Sequence, residues 1–105
     1  MEDHAVTDLE ITRLCATAMG YTSISTNHGG LPLFTHEAGI YDPLHDKAQA
    51  MELVERFDLC LEPNSPHVAK WAVWPMNDRE REYITHNHNL CRAIVECVAK
   101  MEAAK

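Results

Sequence analysis

The chain has 105 residues, of which 46% are hydrophobic and 24% charged, proportions of a folded globular domain and not of a disordered segment. Nine basic against sixteen acidic residues give a formal charge of -7, a field that repels long DNA or RNA but still allows a small anion to be held by a local group of arginines. No apolar run approaches the roughly 20 residues that a membrane span needs, and Met1 to Asp8 is acidic without an apolar stretch, so a soluble cytoplasmic chain is expected.

Thr7 followed by Glu10 is a capping-box spacing, in which hydroxyl and carboxylate serve orphan N–H groups at the start of a helix. Ile11, Leu14, Cys15, Ala18 and Met19 then form one apolar stripe, and Gly20 supplies a left-handed stop. Residues 1–6 are expected to fray. Tyr21 to Ser25 is β-branched and aromatic enough for a strand that runs into the turn formers Asn27-His28-Gly29-Gly30. Leu31 to Phe34 reads as a short edge strand, because Pro32 cannot donate to a ladder on both sides.

Asp42-Pro43 predicts the start of a second helix, with the carboxylate as cap and proline at the first helical position. Leu44, Ala48, Met51, Val54 and Phe57 mark its expected inner face. Leu59 to Glu62 and Val68 to Trp74 are short β-like runs around the turn formers of residues 63–67, which predicts a hairpin. Alternation along its second strand puts Trp71 and Val73 on one face and Ala72 and Trp74 on the other, one tryptophan inward and one nearer the surface. Tyr83 to Thr85 could add a further strand. Asn87 or Asn89 caps a last helix with the stripe Leu90, Ile94, Cys97, Val98 and Met101, widened by Cys91 and Val95; residues 102–105 are expected to fray. Helices and hairpins in this order predict one α+β domain, a small antiparallel or mixed sheet layered with three amphipathic helices in the manner of an α-β-α sandwich. Its edges lack an obvious cover, which makes self-association plausible.

The four cysteines fall at core-like positions with no CxxC pair, so they read as small buried hydrophobes. The seven histidines include His86 and His88 around Asn87, yet no HxxxH or CxxC spacing accompanies them, and no metal or other cofactor is implied. Ser25 with His28 and Ser65 with His67 are neighbours in sequence only, without a strained elbow or a third member, so no catalytic residue is assigned. Trp71 and Trp74 offer ring faces, and Arg79, Arg81 and Arg92 offer forked donors, the groups that stack bases and grip phosphates; they serve equally well as core rings and solvated cations.

Tyr41 to Met51, Trp71, and Asn89 to Ile94 resemble the helix starts and packing positions of a phage family, the ABA sandwich domain, over most of the chain. The resemblance implies α-β-α layering and a phage or prophage origin within a host bacterial cytoplasm. Small phage domains of this size include oligomeric sponges that sequester cyclic nucleotide signals of bacterial immunity. By that analogy the chain is expected to be a homo-oligomer that binds a small anionic nucleotide, a cyclic ADP-ribose variant or a cyclic oligonucleotide, without turning it over. The residues expected to carry this are Trp71 or Trp74 for stacking, Arg79 or Arg92 for phosphate, and His86, Asn87 and His88 for ribose or phosphate. The alternatives are a protein-interaction module that presents an exposed tryptophan to a host protein, and a metal-dependent enzyme built on the histidines.

Overall fold

A computed structural model describes residues 7–21, 23–26, 32–36, 39–63, 71–78, 80 and 82–105, with backbone alone for 23–26, 32–36, 39 and 40. The elements run α1 (Asp8–Ala18), β1 (Ser23–Thr26), β2 (Pro32–His36), β3 (Gly39–Tyr41), α2 (Lys47–Phe57), β4 (Leu59–Pro63), β5 (Trp71–Pro75), β6 (Thr85–Asn87) and α3 (Leu90–Ala103). This is the expected α+β class with three helices. The strands divide between two three-stranded antiparallel sheets, in the orders β1-β2-β3 and β4-β5-β6.

Local chemistry explains most of the boundaries. Thr7 Oγ1 accepts from Glu10 N at 3.1 Å, one half of the capping box, while the Glu10 carboxylate pairs with Arg13. Gly20, at φ 83°, supplies the left-handed residue that follows α1. Pro32 corrects the edge-strand expectation. β2 is the central strand of its sheet, and the proline is tolerated because it is the strand's first residue, paired with Thr26 at the end of the ladder.

The second helix begins later than Asp42-Pro43 suggests. Asp46 is its cap, accepting from Gln49 N at 3.2 Å, and Asp42 closes the preceding turn through its carbonyl, which accepts from His45 N at 3.1 Å. Leu44 is buried and Val54 and Phe57 pack against the core as expected, but Ala50 and Leu53 are the fully buried residues of α2, and Ala48 and Met51 are exposed. The inner face is rotated by a fraction of a turn from the expected stripe and shares Val54 and Phe57 with it, and only packing fixes that rotation. α2 ends at Asp58, a left-handed residue without the freedom of glycine.

α3 is the centre of the molecule. Cys91, Ala93, Ile94, Val95, Cys97, Val98 and Ala99 are buried along it, and it packs against α1, α2, β5 and β6. Two polar links tie its backbone to neighbours: Thr85 Oγ1 donates to Ala93 O at 2.6 Å, and Cys15 Sγ donates to Val95 O at 3.3 Å. The helix continues through Ala103, into the segment expected to fray. Cys15, Cys91 and Cys97 are buried free thiols and Cys60 is half-buried, as the composition predicted for the first three. Tyr41 is buried with its ring edge-on to Tyr21, centroids 5.0 Å apart, which joins the end of the first sheet to the end of α1.

Candidate functional site

The β4–β5 hairpin pairs Pro63 with Trp71 and Cys60 with Trp74, and β6 continues the ladder with Trp71 opposite Asn87 and Ala72 opposite His86. Strand alternation sends Trp71 and Val73 toward the helices. Val73 is fully buried, and Trp71 is half-buried against the core at its edge. Trp74 and His86 share the opposite face of the sheet. The two tryptophans therefore cannot line one site within a single copy. Neither is fully buried, so the division into core and surface rings is one of degree.

Trp71 lines a cleft of about 380 Å³ together with Lys47 and Met51 of α2 and Asn89, Leu90 and Cys91 at the start of α3. The first residues of two helices meet there. Asn89 caps α3 by accepting from Arg92 N at 3.1 Å, and Asn87 Oδ1 accepts from Asn89 N at 2.9 Å, which fixes the approach to the helix. Both asparagines named as alternative caps are thus used. No carboxylate lines this cleft among the described residues, and the first turns of α2 and α3 hold no acid, whereas α1 carries Asp8 and Glu10 in its first turn. Acids normally gather at helix N-termini, where the macrodipole favours them. The α2 terminus is already answered by the Asp46 carboxylate of its cap, so it is the start of α3, capped by the neutral Asn89, that is left without an acid.

The other residues expected at a site are dispersed. The Arg92 guanidinium donates from Nη1 to Asp8 at 2.7 Å and from Nε to Glu96 at 2.9 Å. The hydrogen bond to Asp8 holds its pKa above the ordinary arginine value, so Arg92 joins α3 to the start of α1, and a phosphate would have to compete with two carboxylates for it. His86 and His88 are exposed, and no group of three His, Cys, Asp or Glu residues converges on a metal-sized space among the described residues. Arg79 lies outside the described residues. So do the histidines of the Ser–His pairs, His28 and His67. The cleft residues that sequence reasoning did not single out are Lys47, Met51, Leu90 and Cys91. The neutral Asn89 cap and the acid-free first turn of α3 were the available signal.

A second cleft, of about 420 Å³, lies at the other end of α3 and β5, where Pro75, Tyr83 and Met101 meet Asn77, Asp78, Glu80 and Glu82. The Asp78 carboxylate is occupied, accepting from Glu82 N at 3.0 Å and Tyr83 N at 2.8 Å. Between the clefts the thiols are unreactive. Burial pushes Cys15 up to about 12, assisted by Cys97 and Glu102, and burial likewise pushes Cys97 up to about 12, so neither is a ready nucleophile or metal ligand.

Fold and clefts define a small α+β domain with an aromatic, cationic cleft where two helices begin. Comparison of the chain with protein-family models, with curated proteins and with solved structures finds no match. No helix among the described residues is long and apolar enough to cross a membrane.

Proposed function

We propose that the chain is a non-enzymatic binding protein for a small anionic ligand that carries a ring, a nucleotide-type molecule. The supporting observation is the cleft at the N-terminal end of α3, which Trp71, Lys47 and the first residues of α3 line without a carboxylate among the described residues. A ring stacked on Trp71 would place a phosphate toward Lys47 and the N-terminus of α3, which favours anions. In this reading Lys47 takes the role first given to Arg92, whose guanidinium is already shared between Asp8 and Glu96.

The cleft lies in the lower part of the size range of small-molecule sites. It suits one nucleotide unit, and a larger cyclic signal would need a second copy to close over it. Sequestration of an immune signal, with a homo-oligomer building the shared site, extends this reading through the likeness to phage domains.

Thermal unfolding in the presence of ADP, cyclic ADP-ribose and cyclic dinucleotides, followed by mass spectrometry of the released ligand, tests the reading. The expected result is a higher melting temperature with at least one of them, loss of that shift in Trp71→Ala, and recovery of the ligand intact. No shift near millimolar ligand would overturn binding, and a recovered hydrolysis product would overturn the non-enzymatic assignment.

A further inference from the structure

The cleft at the start of α3 carries more than a ring and an ammonium. Asn89 N donates to Asn87 Oδ1, Arg92 N to Asn89 Oδ1 and Ala93 N to Asn89 O. Between them, the backbone N–H groups of Leu90 and Cys91 have no acceptor among the described residues. Both residues line the cleft, and the first N–H groups of a helix find no partner within it. Cys91 is 7% exposed, and its free thiol also lacks a hydrogen-bond partner among the described residues. Committing Asn89 Oδ1 to Arg92 N leaves Asn89 Nδ2 as a donor. Together with the Lys47 ammonium, the polar groups left over for a ligand are donors.

We propose that the ligand enters this cleft by a terminal phosphate, so that the bound class is a nucleotide with a phosphate monoester end and not one whose phosphates all bridge. This class is narrower than the nucleotide reading above and rests on it. A monoester presents three terminal oxygens and about two negative charges near neutral pH, against two oxygens and one charge for a bridging diester. Leu90 N–H, Cys91 N–H and the Lys47 ammonium supply one donor for each terminal oxygen, and hydrogen bonds to a charged acceptor are roughly twice as strong as neutral ones. A diester leaves one of these donors unanswered. A nucleoside keeps the Trp71 ring contact and answers none of them.

The test is calorimetry of the full chain with AMP, cyclic AMP and adenosine, which share a base and differ in phosphate. AMP should bind about tenfold more tightly than cyclic AMP, the size of one hydrogen bond to a charged group. Leu90→Pro removes one N–H at the first helical position, where proline is tolerated, and Asn89 before it already has the extended backbone (φ -92°, ψ 117°) that a following proline requires. Leu90→Ala keeps the N–H and shortens a side chain that packs against the core. The preference for AMP should be largely lost in Leu90→Pro and kept in Leu90→Ala, with circular dichroism checking the fold of both. Equal affinity for AMP and cyclic AMP in the unaltered chain would overturn the terminal-phosphate class and leave the nucleotide reading in place. No binding of any of the three near millimolar would overturn that reading itself. A preference that survives in Leu90→Pro, or is lost equally in Leu90→Ala, would overturn the role of the α3 N–H groups.

Discussion

The two ends of α3 carry clefts of similar volume and opposite chemistry. At its start stand Lys47, Trp71 and a helix cap with no lining acid among the described residues; at its finish Glu80 and Glu82 ring a floor of Pro75, Tyr83 and Met101. The same helix supports both, so its macrodipole assists an anion at one end and a cation at the other. Both clefts occur in one chain of net charge -7, so total charge does not describe the lining of either.

The largest expected effect comes from the shared support. Ile94→Ala removes a fully buried side chain from the middle of α3 and should cost about 2–5 kcal/mol in chemical denaturation, weakening both clefts together; a loss confined to one of them would show that the ends are supported separately. Trp71→Ala separates the ends. It should reduce nucleotide affinity in calorimetry by about fivefold to a hundredfold or more, the range for one lost base stack. Trp74→Ala acts on the opposite face of the sheet and should leave nucleotide affinity within the error of that measurement. A smaller change is expected from Lys47→Ala, about threefold in nucleotide affinity, with a shallower dependence on salt.

Alkaline pH probes the core between the clefts. Cys15 and Cys97 titrate near 9.0 when unperturbed and are raised to about 12 by burial in the fold. The core tolerates the neutral thiols, so their contribution is complete below pH 9 and is lost as pH rises toward 12. Denaturation midpoints should fall across that window, and Cys97→Ala should flatten the fall relative to its own value at neutral pH. The smallest effect is expected at Asp58, where Asp58→Gly relieves a left-handed residue and should stabilise by about 0.5 kcal/mol in denaturant titration.

Much of the fold was legible from short-range chemistry. The Thr7 cap, the Gly20 stop, the Asn89 cap with Asn87 behind it, the apolar stripe of α3 and the β4–β5 hairpin are each set by residues a few positions apart, and local rules of capping, period and turn formation find them. The inward phase of α2 was legible in part: Leu44, Val54 and Phe57 lie inward as expected, while Ala50 and Leu53 and not Ala48 and Met51 are buried, a rotation that depends on what the helix packs against. The central place of β2 escaped for a related reason: a proline is costly in the middle of a ladder and harmless at its first residue, and register alone distinguishes the two. The site divided in the same way. Of the cleft's lining residues sequence had named Trp71 as a ring face and Asn89 as a helix cap, but Lys47, Trp71 and Leu90 meet only through packing of α2 and β5 around α3. Strand alternation alone set the two tryptophans on opposite faces of the sheet, whereas only tertiary structure gave Arg92 its Asp8 partner. By itself the sequence determined a domain of three capped helices and antiparallel strands, because those signals are local; tertiary packing decided which charged and aromatic groups share a cleft, because those contacts join residues far apart in the chain.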